Sequence, residues 1–138
     1  MQKLILDTNV LVSSLIQKSF PYRIVNEFFV EGKIELCISE ALLTEYYEVL
    51  HRPKFEKYPD FTARAEILLT DIKEYATMYS PQITLNLLSD EDDNMILELA
   101  DVCLADYIVT GNTNDFNISF YKNTQIVTPR EFWLLCQP

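Results

Sequence analysis

The sequence predicts a single α/β domain in which helices cover both faces of a mainly parallel β-sheet. Short apolar runs without polar alternation are separated by amphipathic helical segments, and 138 residues with 49% hydrophobic composition suffice for one core. Strands buried on both faces of a parallel sheet give such runs. Because strands that alternate with helices are joined by right-handed crossovers, we expect a single-domain three-layer α/β/α sandwich over residues 1–138.

The first elements follow this alternation. Residues 4–7 form an apolar run that ends in an acid and predict the first, central strand. Apolar residues at helical spacing from Val10, and again from Pro21 to the stop signal at Gly32, predict two helices. Residues 34–38 predict the second strand.

The middle of the chain predicts two longer helices. Ser39 is a good N-cap for a helix that carries Glu45 and ends before Pro53. Apolar residues at helical spacing over residues 61–76 predict a longer amphipathic helix. A weak strand is predicted at residues 83–85.

The last part of the chain predicts two further strands and two helices. The acidic run at residues 90–94 opens a helix, since acids in a first turn complement the helix dipole. Residues 107–110 predict a strand and residues 111–115 a polar loop. Residues 125–127 predict the last strand. Residues 128–131 (Thr-Pro-Arg-Glu) predict a capping box with proline at the first position of a terminal helix.

Four acids fall at one edge of this predicted sheet, where ligands of open α/β sheets bind. Asp7 closes the first strand, and Glu45 lies one or two turns into the helix after the second strand. Asp93 stands in the first turn of the helix that leads to the next strand, and Asp115 follows that strand. We therefore expect the four acids to converge on one cleft.

Converging carboxylates repel one another, and a hard divalent cation removes this conflict. Mg²⁺ and Mn²⁺ prefer carboxylate oxygen and leave positions open for a substrate phosphate, which indicates phosphodiester hydrolysis. Taken singly, Asp7 could be a turn residue, Asn9 and Asp92 helix caps, and Glu45 a solvated charge. The occurrence of all these acids at one predicted edge of the sheet favours a metal site. His51, the only histidine, is expected to contact the last carbonyls of its helix.

The formal net charge of −10 argues against loose electrostatic binding of a polyanion. An RNA substrate would therefore need the divalent cation and a local basic patch. Arg52 and Lys54, beside the Glu45 helix, are the predicted RNA contacts, although ordinary surface cations explain them equally well. The three cysteines are expected to be buried thiols. No segment has the length of a signal core or membrane span, so a cytoplasmic protein without membrane contact is expected.

Several segments resemble the motifs of PIN domains. Leu6-Asp7-Thr8-Asn9 resembles the opening motif, and residues 39–45 resemble the segment that ends in the second acid. Residues 90–94 and 108–116 are similar to the third and fourth motifs. Residues 49–55 and 126–132 resemble segments of a bacterial subgroup described as toxins of toxin–antitoxin systems, similar to VapC toxins.

This resemblance implies an α/β/α sandwich with Mg²⁺- or Mn²⁺-dependent endoribonuclease activity. It implies an antitoxin partner and a homodimer. Carried over by position, the metal-binding catalytic acids are Asp7, Glu45, Asp93 and Asp115, with Asn9, Thr110 and Asn112 as supporting polar groups.

One departure from the family pattern and one ambiguous assignment leave alternatives open. Many relatives have aspartate where this chain has Asn112, so a catalytically weak PIN-like interaction module is the second hypothesis. Asp90 and Asp92 flank the third acid closely enough that either could face the cleft instead of Asp93. A phosphoacceptor signalling domain is disfavoured, because it needs a lysine after the fifth strand, where this chain has Thr128-Pro129-Arg130.

Overall fold

One β-sheet, formed by six strands within residues 1–136, organises the computed structural model, which describes those residues. The strands are β1 (Gln2–Leu6), β2 (Ile34–Ile38), β3 (Thr77–Met78), β4 (Tyr107–Val109), β5 (Phe120–Tyr121) and β6 (Thr124–Val127). Their order across the sheet is β3-β2-β1-β4-β6-β5. All neighbours pair in parallel except β5 and β6, which form an antiparallel hairpin. The predicted mainly parallel sheet with a central first strand is confirmed.

Helices connect the strands and cover the sheet. They are α1 (Thr8–Ile16), α2 (Phe20–Arg23), α3 (Glu40–Leu50), α4 (Phe61–Tyr75), α5 (Glu91–Cys103), α6 (Thr113–Phe116) and α7 (Pro129–Leu135). A π-helical segment, Ile24–Val30, continues α2, and a short 3₁₀ turn, Pro53–Phe55, follows α3.

The burial of β1 shows that both faces of the sheet are covered. Leu4, Ile5 and Leu6 are fully buried. Successive side chains of a strand point to opposite faces, so three buried neighbours need packing partners on each side. This is the α/β/α arrangement that the unbroken apolar run predicts.

Local signals at two helix starts are confirmed. The Ser39 hydroxyl accepts a hydrogen bond from the Leu42 amide at the start of α3. At the start of α7, the Thr128 hydroxyl accepts from the Glu131 amide and the Glu131 carboxylate accepts from the Thr128 amide. Both caps satisfy amides that a helix start leaves unpaired.

Two predictions about local structure are wrong. Residues 83–85 do not form a strand, because the Leu85 amide donates to the Glu98 carboxylate (2.8 Å) rather than to a neighbouring strand. The edge strand is β3, six residues earlier. Residues 111–115 are not wholly a loop, since α6 begins at Thr113. Strand β5 was not predicted, because two residues carry no periodicity.

The cysteines of residues 1–136 are free thiols. Cys37 and Cys103 are buried, as expected, whereas the expectation is wrong for Cys136, which is only partly buried. No helix within those residues combines the length and the apolar character needed to cross a membrane.

Candidate metal centre at the carboxyl edge of the sheet

Strands β1 and β4 bring Asp7 and Thr110 to the same edge of the sheet. The two strands pair in parallel up to Leu6 and Val109. The Asp7 amide continues the ladder by donating to the Val109 carbonyl (2.9 Å), and the Thr110 amide donates to Val127 (2.9 Å). Both side chains therefore leave the sheet at the carboxyl ends of its central strands, where α/β proteins bind ligands.

Asp7 is held by three donors. Its carboxylate accepts hydrogen bonds from the Thr110 hydroxyl (2.7 Å), the Thr8 amide (2.8 Å) and the Asn9 side-chain amide (3.2 Å). The Asn9 carbonyl oxygen in turn accepts from the Gly111 amide (3.1 Å). Burial raises the pKa of Asp7, and these donors oppose that effect by stabilising the charged form.

Glu45 reaches the Asp7 cleft through a contact between α3 and α1. The Thr8 hydroxyl, in the first turn of α1, donates to the Glu45 carboxylate. Burial raises the pKa of Glu45 to about 7, the Thr8 donor opposes this rise, and the charges of Asp92 and Asp7 add to it. A glutamate with such a pKa faces other acids in a partly desolvated cleft.

Asp93 lies half-buried in the first turn of α5. The helix start is fixed by Asp90, which caps it by accepting from the Asp92 amide (2.8 Å). It is also fixed by Asn94, whose buried side chain bonds both backbone groups of Leu88. Burial raises the pKa of Asp93 to about 6, and the charges of Asp90, Asp7, Asp115 and Asp92 add to this rise.

Asp115 stands exposed on α6, and its charge raises the pKa of both Asp7 and Asp93. The loop before it is tied to the end of β4, since the Asn112 amide donates to the Thr110 hydroxyl (3.1 Å) and the Asn112 carbonyl accepts from the Asp115 amide (3.1 Å). Asn112 thus supports the loop through its backbone, while its side chain does not cap α6.

The four acids are electrostatic neighbours, but they do not enclose an ion. Within residues 1–136, no three Asp, Glu, His or Cys side chains converge closely enough to form a ready-made metal cage. The donor set nonetheless fits Mg²⁺ or Mn²⁺. It offers carboxylate oxygens, and Mg²⁺ is commonly bound through one or two carboxylates while it keeps several waters. The ion pairs found within residues 1–136 do not involve Asp7, Glu45, Asp93 or Asp115.

Two residues around the acids, Thr8 and Tyr46, had no assigned role in the sequence. The Thr8 hydroxyl bonds Glu45, and the buried Tyr46 hydroxyl donates to the Leu6 carbonyl (2.5 Å), directly before Asp7. Asp92, one of the open alternatives for the third acid, approaches Glu45. Burial and the nearby acids raise the pKa of Tyr46 well above its ordinary value, so its hydroxyl remains a donor. The sequence offers a weak signal for Thr8 alone, as the polar residue directly after Asp7.

The two predicted RNA contacts lie beyond the end of α3. Arg52 is exposed and pairs with Glu48 (3.7 Å), and Lys54 is exposed in the 3₁₀ turn. Arg52 follows Glu45 by seven residues, about 10 Å along a helix at ~1.5 Å per residue. Their role in RNA binding stays a prediction. His51 contacts the Tyr47 carbonyl (2.6 Å), as its position at a helix end predicts.

An α/β sandwich with acids grouped at the carboxyl edge of its central strands defines a class of domains that offer oxygen ligands to a hard cation. Residues 3–114 match the PIN domain family, and the chain belongs to that family. The match includes Asp7, Glu45 and Asp93 and ends directly before Asp115. PIN domains are generally nucleases and usually bind divalent metals.

One relative is an uncharacterized protein of Methanocaldococcus jannaschii. It is 30% identical to this chain over 139 aligned positions, which cover 94% of this chain and 88% of the relative. The similarity extends over nearly the whole domain.

Proposed function

We propose that this protein is a metal-dependent endoribonuclease that hydrolyses phosphodiester bonds of RNA. Its metal-binding catalytic acids are Asp7, Glu45, Asp93 and Asp115. The observation that carries the proposal is the position of Asp7 at the end of the central strand, where its charge raises the pKa of both Glu45 and Asp93. Acids that raise one another's pKa need a cation to remain ionised together.

The four acids would hold Mg²⁺ or Mn²⁺. When bound, such an ion activates the attacking water and stabilises the leaving oxygen of the phosphodiester. The chain itself keeps the acids in place: Thr110, Asn9 and the Thr8 amide hold the oxygens of Asp7, and Thr8 holds Glu45.

Substrate and partners form the finer part of the proposal. RNA would be oriented through its phosphates by Arg52 and Lys54, which position a nucleic acid without reading its sequence. In the cytoplasm the protein would act as a VapC-like toxin, as a homodimer held inactive by an antitoxin. The motif resemblance supports this role, and the net charge of −10 suits a partner with basic segments.

A second candidate function is a catalytically weak PIN-like module that acts through protein contacts. Asn112 favours it, because asparagine supplies no charge where many relatives have aspartate. A degenerate module would lack Mn²⁺ binding that depends on Asp7 and Asp93.

An RNA digestion assay tests the proposal. The purified protein should cleave RNA with Mn²⁺, lose the activity in EDTA and regain it when Mn²⁺ is restored in excess. Calorimetric titration with Mn²⁺ separates the second candidate: the nuclease binds Mn²⁺ and loses this binding in Asp7→Asn and Asp93→Asn. A wild-type protein with neither cleavage nor Mn²⁺ binding contradicts the nuclease and favours the interaction module.

A further inference from the structure

Tyr46 is a fully buried residue of α3 whose ring belongs to the core, with 0% of its surface exposed. A phenylalanine would fill such an apolar position without the cost of burying a hydroxyl. The Tyr46 hydroxyl has a specific partner, since it donates to the backbone carbonyl of Leu6 (2.5 Å). Leu6 is the last residue of β1, and Asp7 follows it directly. The hydroxyl therefore bonds the backbone directly before Asp7, at the point where the chain leaves the sheet.

The pairing of β1 with its two strand neighbours ends at different residues. The pairing of β1 with β2 stops at Leu4 and Leu36, whereas its pairing with β4 continues to Leu6 and Val109. Strand β2 itself continues to Ile38, and α3 adds a further contact at the last residue of β1. The Tyr46 hydroxyl makes this contact.

Two consecutive residues of α3 contact the segment around Asp7. Glu45 accepts a hydrogen bond from Thr8, one residue after Asp7, and Tyr46 donates to Leu6, one residue before it. The two bonds fix both the distance and the rotation of α3 relative to the end of β1. Glu45 and Asp7 are thereby held as one unit.

We propose that Tyr46 is a positioning residue, which through its hydrogen bond to the Leu6 carbonyl keeps Asp7 and Glu45 facing the same divalent cation. This inference rests on the proposed function. Tyr46 touches neither the cation nor the RNA and acts through the two acids. Groups that orient metal ligands commonly contribute about 10- to 100-fold to metal affinity or activity.

Tyr46→Phe tests the inference, because it keeps the ring and removes only the hydroxyl. We expect kcat for RNA cleavage to fall by about 10- to 100-fold, the KM for RNA to stay unchanged, and the Mn²⁺ concentration for half-maximal activity to rise by a similar factor. Tyr79→Phe is the matched control, since it removes a tyrosine hydroxyl that bonds Glu35 (2.6 Å), away from the four acids. The control should retain wild-type kcat and Mn²⁺ requirement.

A purely structural role for the hydroxyl gives a different result. It would lower the thermal midpoint while each folded molecule kept its kcat and Mn²⁺ requirement, so all variants are assayed at one temperature that lies below every midpoint. Amide hydrogen exchange is a second measurement that needs no catalysis: exchange at Asp7 and Thr8 should be faster in Tyr46→Phe than in Tyr79→Phe.

The outcomes separate the two proposals. If the wild type cleaves RNA and Tyr46→Phe matches it in kcat, in Mn²⁺ requirement and in exchange at Asp7 and Thr8, the positioning role is overturned and the nuclease stands. If the wild type neither cleaves RNA nor binds Mn²⁺, the proposed function fails, and the role of Tyr46 toward a cation fails with it.

Discussion

The hydroxyl of Thr110 donates a 2.7 Å hydrogen bond to the carboxylate of Asp7, 103 residues away in the sequence. Thr110 is fully buried and directly follows β4, while Asp7 directly follows β1. The bond joins the two central strands at the edge where the acids gather. It also stabilises the charged form of a carboxylate whose pKa burial raises.

Thr110→Val keeps the shape of the side chain and removes this donor together with the acceptor of the Asn112 amide. We expect the free energy of unfolding at neutral pH to fall by about 1–2 kcal/mol, because a partly buried carboxylate loses a hydrogen bond. Urea denaturation of the metal-free protein measures the change, with Thr110→Ser as the variant that keeps the donor. Equal urea midpoints for the valine and serine variants would show that the bond contributes nothing to stability.

The Thr8 hydroxyl contributes to the ionisation behaviour of Glu45, whose pKa is raised mainly by burial. Its hydrogen bond opposes the rise in the pKa of Glu45, so Thr8→Val should move that pKa upward. The acidic limb of the Mn²⁺-dependent pH–activity profile should then shift to higher pH by up to about one unit, the equivalent of one hydrogen bond of ~1.4 kcal/mol. Thr8→Ser, which keeps a donor, should retain the wild-type profile; the same shift in Thr8→Ser would point to packing instead.

The raised pKa values predict how the stability of the metal-free protein depends on pH. The pKa of Glu45 rises from 4.5 to about 7 and that of Asp93 from 3.8 to about 6. Between its unfolded and its native pKa, each group binds more protons in the native state than in the unfolded state. The resulting stabilisation of the native state is complete below the unfolded pKa and is lost as pH rises through 6 to 7.

Glu45→Gln isolates this effect, since glutamine stays neutral. The thermal midpoint of chelator-treated Glu45→Gln is compared with that of the wild type at each pH. The difference, variant minus wild type, should be more positive at pH 8 than at pH 5. Glu74→Gln, at an exposed position of α4, is the control and should show a smaller dependence. A stability difference between Glu45→Gln and the wild type that does not change with pH would mean that Glu45 titrates normally.

Local sequence signals predicted most of the fold. Residues 34–38 matched β2, and the Ser39 cap and the Thr128 capping box lie where their motifs predict. These features depend on neighbours within a few residues. The short strands β3 and β5 could not be predicted, because two residues that pair through backbone contacts leave no side-chain pattern.

Part of the candidate site could also be predicted from the sequence, because the position of an acid after a strand can be read from the chain. Parallel topology alone sends Asp7 and the residues after β4 to one edge, so the acids could be proposed from their place after strands. The bonds from Thr8 to Glu45 and from Tyr46 to Leu6 could not, because they depend on how α3 packs against the end of β1. In the sequence, Tyr46 is one more apolar position on a helix.

Mn²⁺-dependent RNA cleavage by Asp7→Asn tests most directly whether the acids share a divalent cation. Asp71→Asn, a half-buried aspartate of α4, is the matched control, and circular dichroism checks that both variants are folded. Loss of a metal ligand should lower kcat/KM on the order of 100-fold or more, since a catalytic metal supplies several kcal/mol. We predict this loss in Asp7→Asn and wild-type cleavage in Asp71→Asn. Wild-type, EDTA-sensitive cleavage by folded Asp7→Asn would contradict the account.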